Sequence, residues 1–243
     1  MSLSTNLAVP ARAMAIGAHP DDVEFGAGGT LAKWAAGGCR VQHVICTDGS
    51  KGSWDPEEDL ARLVLTRQGE QRDASRRLGA SGDVLFLNWP DGELDSGVRQ
   101  RAQVAAAIRR FQPDVVLGHD PWRRYRLHPD HRHAGYLAVE GLVAARDPHF
   151  FPELALPAHR PEVLLLFEAD EPNHVEDVAA FATMKLAALL AHRSQLRSTM
   201  HVDDASNTSQ LDRFRTEVLA TLTDQGALAG LSSGEAFRVM TDL

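Results

Sequence analysis

The sequence predicts an α/β fold built on a mostly parallel sheet, with its site at the carboxyl ends of the strands. Three observations carry this. Short apolar runs suited to buried strands recur at 13–17, 41–46, 83–88, 114–118 and 163–167, and stretches of helical character separate most of them. Two clusters rich in histidine and aspartate each lie just past such a run and just before a helix. They are Ala18-His19-Pro20-Asp21-Asp22 and Leu127-His128-Pro129-Asp130-His131-Arg132-His133. Open α/β sheets place their ligands at that point. Finally, no internal repeat or low-complexity linker interrupts the 243 residues, which are read as one domain, 1–243, large enough to bury a sizeable core.

Taken in order, 13–17 is a strand, the first cluster follows it, and 30–36 is a helix with Leu31 and Trp34 on one side. The run 41–46 is a second strand. Its Cys46 reads as a buried free thiol and its His43 as a packing or edge histidine. With only Cys39 besides, neither a disulfide nor a cysteine metal site is expected. Residues 47–59 form a loop punctuated by Gly49, Gly52 and Pro56, in which Trp54 is read as an anchor. The helix 60–78 places Arg67 and Glu70 at i, i+3, the spacing of a surface ion pair. After the strand 83–88, Pro90-Asp91-Gly92 signals a turn, and Asp95 is positioned to cap a helix over 98–111. The strand 114–118 leads to His119-Asp120, the basic run Arg123-Arg124-Tyr125-Arg126, and the second cluster, which opens another helix. His133, two residues past His131 on that helix, points away from it and is read as a surface or supporting residue. Residues 147–161, rich in proline and histidine, read as a long loop across the mouth of the cleft. Beyond the strand 163–167 come a helix over 178–192 with His192 as a capping or core residue, a helix over 213–222, and a tail strand near 237–240.

Composition excludes several function classes. A net charge of −8 argues against nucleic acid or an anionic membrane as partner. No apolar run approaches the roughly 20 residues of a membrane span. The N-terminus lacks a basic region followed by an apolar core, so no signal peptide is read and the cytoplasm is the expected compartment. The stretch Gly26-Ala27-Gly28-Gly29 suggests a dinucleotide fingerprint. That motif must follow its strand directly, whereas here two carboxylates intervene that would repel a pyrophosphate.

His19 and Asp22 offer a nitrogen and an oxygen donor suited to a first-row metal, with Asp21 left over as a base. A lone cluster of this kind is read equally well as an aspartate-rich capping turn. The second cluster favours the metal. His19, Asp22 and His131 would make a two-histidine, one-carboxylate set with an open position, as in catalytic zinc sites.

These residues resemble the PIG-L/LmbE-like family of zinc-dependent N-deacetylases. The resemblance rests on Ala-His-Pro-Asp-Asp with Gly28-Gly29-Thr30-Leu31-Ala32, and on His-Pro-Asp-His. Smaller echoes occur at Thr47-Asp48-Gly49, Arg67-x-x-Glu70, Pro90-Asp91-Gly92, Lys185, His192-Arg193-Ser194-Gln195 and Glu235-Ala236-Phe237-Arg238. It implies a Rossmann-like three-layer sandwich and zinc, or another divalent metal, on His19, Asp22 and His131. It assigns Asp21 as general base, His128 as a charged or hydrogen-bonding partner of the oxyanion, and Asp130 as the group orienting His128. Arg67 and Asp95 would contact substrate. The implied activity is removal of an N-acetyl group from a small-molecule amino sugar of the GlcNAc type. A homo-oligomer is also implied, for which apolar residues between 150 and 156 offer a contact. A hydratase or other amide hydrolase on the same scaffold, and less so a non-catalytic metal-binding protein, are the alternatives. Where sugar deacetylases of the family can carry a tyrosine two residues before His128, this chain has Arg126.

Overall fold

The computed structural model describes residues 3–80 and 84–243. Its strands are β1 (Ser4–Thr5), β2 (Arg12–Gly17), β3 (Arg40–Thr47), β4 (Leu85–Trp89), β5 (Val115–His119), β6 (Val163–Phe167), β7 (His174–Asp177) and β8 (Gly234–Met240). Its helices are α1 (Asp22–Ala36), α2 (Leu60–Arg77), α3 (Val98–Phe111), α4 (Pro129–Arg146), α5 (Ala182–Leu189) and α6 (Thr208–Ala227). The strands form one sheet in the order β1-β7-β8-β6-β5-β2-β3-β4. Neighbours run parallel except at β8, which is antiparallel to both β6 and β7. Asp83, expected to open a strand, lies outside the described residues.

Alternating side chains of the central strands divide between two cores, as the period of two along a strand requires. On one face Met14, Ile16 and Val116 meet Val104 and Ile108 of α3 and Leu137 and Leu142 of α4. On the other, Ala13, Ala15, Ile45 and Leu117 meet Leu31 and Trp34 of α1 and Ala74 of α2. The expected three-layer α/β architecture is the one observed.

Topology then selects the site. From β2 the chain passes through α1 to β3 on one edge of β2, and it later returns as β5 on the opposite edge. The order in which strands are added reverses between the parallel β2 and β5, and a crevice opens there beyond the carboxyl ends of both strands. The first histidine cluster leaves β2 at this crevice. His119 ends β5, and the second cluster follows it into α4.

Helix α1 begins at Asp22, earlier than its apolar pattern suggests, and it is kinked at Ala27, whose φ of −146° is non-helical. An inserted ion pair accounts for the break. Glu235 of β8 accepts hydrogen bonds from Gly29 N (2.9 Å) and Thr30 N (2.7 Å), while Lys185 Nζ donates to Phe25 O (2.6 Å) and to Glu235 Oε1 (2.6 Å). Lys185 therefore terminates the first part of α1, and Glu235 caps the second. Gly29 is required beside them, because a Cβ there would meet Val178 at 2.8 Å.

Two expectations need correction. Residues 147–161 do not cross the cleft. They connect the end of α4 to the start of β6, which places them at the amino-terminal end of the sheet. There Arg109 donates to the carbonyls of Asp147 and Phe150, and His159 bonds Pro113 O. The helix expected over 178–192 is also shorter. It comprises a 3₁₀ turn, α5 and a second 3₁₀ turn at Arg193–Gln195, and a strand not foreseen, β7, precedes it. Among the described residues no helix is long and apolar enough to cross a membrane.

Candidate active site

The crevice is a cleft of about 430 Å³ lined by His19, Asp21, Asp22, Arg67, His128 and His131, among others. Asp22 lies at its centre. Its Oδ2 takes the His19 backbone N–H at 2.7 Å and lies 3.4 Å from His19 Nδ1, and its Oδ1 lies 3.3 Å from His131 Nε2. Donor atoms on a tetrahedral ion, each bound at roughly 2.0–2.2 Å, are separated by roughly 3.3–3.6 Å. Each of these two contacts, one to either oxygen of Asp22, falls in that range. Three overlapping sets of donors each fall within 4.8 Å: His19/His128/His131, Asp22/His119/His131 and His19/Asp91/Asp130.

The far nitrogen of His19 is held as a metal-ligating imidazole requires. Nε2 faces Asp91 Oδ1 at 3.1 Å and Asp130 Oδ2 at 3.2 Å, which favours a proton on Nε2 and leaves Nδ1, 3.4 Å from Asp22 Oδ2, as the atom a metal would take in place of a proton. Burial lowers the His19 pKa, but hydrogen bonds with Asp130, Asp22 and Asp91 outweigh it and raise it well above the ordinary value. Burial likewise raises Asp22, yet the neighbouring His131 and His119 hold it well below the carboxylate range. Three buried carboxylates around one imidazole form a setting that favours a cation. Burial pushes His131 down to about 4, leaving a neutral ring. One contact runs against its role as a ligand: Arg126 Nη1 donates to His131 Nδ1 at 2.7 Å. Metal ligation through Nε2 would move the proton to Nδ1 and require Arg126 to withdraw toward Glu168, which it already contacts.

Asp21 occupies a strained position, with φ at 99°. Its backbone N–H is tied to Gln71 Oε1 at 3.0 Å, and Arg67 Nη2 stands 3.7 Å from its Oδ2, which accepts no hydrogen bond among the described residues. Burial raises its pKa to about 6 against the opposing charge of Arg67. A carboxylate oxygen without a partner, lining a cleft, is equipped to accept a proton. Thr47-Asp48-Gly49 supports this loop from beside it. The Thr47 hydroxyl bonds Ala18 O at 2.8 Å, and Gly49, at φ +67°, offers its carbonyl to Arg67 at 2.7 Å.

Other expected residues fall differently. Arg67 is buried and does not pair with Glu70. It bonds the carbonyls of Gly49 and Pro20, while Glu70 accepts from Ser194 N and Oγ. Asp130 does not orient His128. Its carboxylate takes His19 and the N–H groups of Gly92 (2.6 Å) and Leu94 (3.3 Å), because the first turn of α4 aims it at the loop after β4. His128 caps α4 by accepting Asp130 N at Nδ1, which leaves Nε2–H as a donor; burial and the nearby His19 lower its pKa, so the neutral ring is favoured over a cation. Asp95 is exposed, accepts Gly97 N in a local turn and does not line the cleft. His133 bonds Ser96, and His43 and His192 lie fully buried around Glu24. Trp54, expected to be a loop anchor, is 66% exposed rather than buried.

Sequence reasoning missed Asp91 and His119. Asp91 carries in sequence only the signal of a turn, Pro90-Asp91-Gly92. His119 ends β5, as the His19 cluster follows β2, and bridges Asp22 Oδ2 (3.3 Å) to Glu168 Oε2 (2.9 Å). Its position at a strand's carboxyl end was the available signal.

The GlcNAc-PI de-N-acetylase (PIG-L) family model matches residues 14–142, which span the sheet centre and both histidine clusters. The chain belongs to this family. The diacetylchitobiose deacetylase of Thermococcus kodakarensis is 34% identical over 187 residues, covering 76% of this chain and 70% of that protein. The 1D-myo-inositol 2-acetamido-2-deoxy-alpha-D-glucopyranoside deacetylase of Streptomyces avermitilis is 32% identical over 202 residues, covering 72% and 66%. Among solved structures, N,N'-diacetylchitobiose deacetylase from Pyrococcus horikoshii, complexed with its inhibitor MPG, superposes with a TM-score of 0.85. It shares 29% identity, and the match covers 96% of this chain and 84% of that one.

Proposed function

We propose that this chain is a metal-dependent N-deacetylase acting on an N-acetyl amino sugar, with a divalent ion, zinc by preference, on His19, Asp22 and His131. The observation that carries the reading is the donor cluster around Asp22 with the free carboxylate oxygen of Asp21 beside it. When bound, the ion would supply Lewis acidity to the amide carbonyl and acidify water. Asp21 takes the proton from the attacking water, and Arg67 keeps that carboxylate in place. His128 offers its Nε2–H to the oxygen that gains charge, and the strength of that contact grows toward the transition state. Asp130 and Asp91 orient His19. The C–N bond then breaks as Asp21 returns that proton to the leaving nitrogen, and the products are acetate and the free amine. Arg67 lines the cleft, and its contact with a substrate hydroxyl remains part of the proposal on the family resemblance. Asp95 has no part in this reading, given its position outside the cleft. A cytoplasmic homo-oligomer of one domain remains part of the proposal on the family resemblance.

Metal analysis tests the ligand set. The purified protein should hold about one divalent ion per chain, and His131→Ala should lose it while the circular-dichroism spectrum and thermal transition persist. Full occupancy in that variant would remove His131, and with it this site, from the account.

A further inference from the structure

Two residues one turn apart on α2 grip a single peptide group. Arg67 Nη2 donates to Pro20 O at 2.8 Å, and Gln71 Oε1 accepts Asp21 N–H at 3.0 Å. These are the carbonyl and the N–H of the same planar unit, and the spacing i, i+4 puts both grips on one face of the helix. A rigid peptide plane held at both ends cannot turn about the bonds that flank it, so the φ of 99° at Asp21 is set from α2.

Asp21 stands at the N-cap position of α1. An aspartate there ordinarily has extended backbone and turns its carboxylate onto the free N–H groups of the first turn. At φ 99° and ψ −25° it makes no such bond among the described residues, and Oδ2 is left without a partner. The left-handed backbone thus exchanges the usual cap for a free carboxylate oxygen. Such a conformation persists only where its surroundings hold it.

The grip from Gln71 is itself oriented. Its Nε2 donates to Glu24 Oε1 at 2.7 Å and lies 3.3 Å from His43 Nδ1, and all three side chains are fully buried. Glu24 requires the amide NH₂ on its side, which leaves the amide oxygen for Asp21. Behind Glu24, His192 Nε2 faces Oε2 at 3.4 Å. Glu24 comes from α1, His43 from β3 and His192 from the segment after α5, so three parts of the chain converge on one amide.

We propose that Gln71 is a positioning residue, which keeps Asp21 from capping α1 and so holds its carboxylate ready as the base. It rests on the deacetylase reading above.

Gln71→Met preserves side-chain volume and removes the acceptor. Its kcat for acetate release should fall by about 10²-fold, while KM and metal content stay within about twofold of the parent. In the Asp21→Asn background the same change should cost less than about threefold, because the group that Gln71 aims is already disabled. An equal loss in both backgrounds, or a loss carried by KM or by missing metal, would overturn the proposal, since a merely structural defect does not depend on Asp21. Should Gln71→Met fail to fold, Gln71→Asn takes its place. Its shorter amide cannot span Asp21 N and Glu24 at once, and the same pattern is expected. If the parent frees no acetate, the deacetylase reading fails, and a crystal structure of the variant decides the positioning alone. A negative φ at Asp21, with its carboxylate on the N–H of Val23 or Glu24, supports the proposal, and an unmoved Asp21 rejects it.

Discussion

Asp21→Asn is expected to lower acetate release from a competent N-acetyl amino sugar by about 10²–10⁴-fold, while metal content and thermal stability stay close to those of the parent. Asparagine keeps the size and polarity of the side chain, and it tolerates the positive φ that this position imposes. What it removes is basicity at Oδ2, the oxygen left without a hydrogen-bond partner and faced by Arg67. Asp21 is not one of the three proposed ligands, and its Oδ2 faces Arg67, so its loss should not release the ion. Two results would count against this assignment. Loss of metal would make Asp21 a ligand and force a reassignment of the adjacent carboxylates. Retention of both metal and near-normal turnover would place the base elsewhere.

The largest expected effect on stability is at Glu235. Replacing it with alanine strands Lys185 as a buried cation and leaves the N–H groups of Gly29 and Thr30 unpaired inside the kink of α1. Breaking a buried pair from one side costs about 3–5 kcal/mol, equivalent to a drop in Tm of roughly 10 °C for a chain of this size. Glu235→Gln keeps an acceptor for one of the two N–H groups and should be less harmful. Differential scanning calorimetry or urea unfolding measures both. A loss below about 1 kcal/mol in the alanine variant would mean that α1 closes its own hydrogen bonds when the ion pair is removed.

Much of this architecture was legible because two periodicities speak for themselves. Helix α3 and strand β6 have the ends that their apolar patterns indicate, and the two histidine clusters fall at neighbouring strand ends as parallel topology demands. The kink in α1 was not legible, because its cause lies in Lys185 and Glu235, more than 150 residues away in the chain. Strand β7 was hidden for a related reason. His174 and Glu176, both polar, are buried there against each other, so no apolar run marks the strand. Arg67 and Glu70 had ideal spacing for a surface pair, yet α2 turns both inward, where loop carbonyls and Ser194 compete successfully for them.

Within the site, residue types point to candidate donors but not to who holds whom. His19, Asp22 and His131 converge, whereas Asp130 supports His19 and not its neighbour His128. Helix geometry makes that assignment: a side chain in the first turn of α4 aims away from the cap residue two positions earlier. The loop at 147–161 was misplaced because its composition resembles that of an active-site flap. Its connectivity, from the end of a helix to the start of a strand, confines it to the opposite end of the sheet.

Acetate release by protein stripped with a chelator and then reloaded with zinc tests the central claim most directly, using N-acetylglucosamine, N,N'-diacetylchitobiose and a GlcNAc glycoside as substrates. The account predicts release from at least one of them, a fall of about 10²-fold or more on stripping, and recovery on reloading. A fully loaded protein that frees no acetate from any of the three, or a stripped one that works unimpaired, would contradict it.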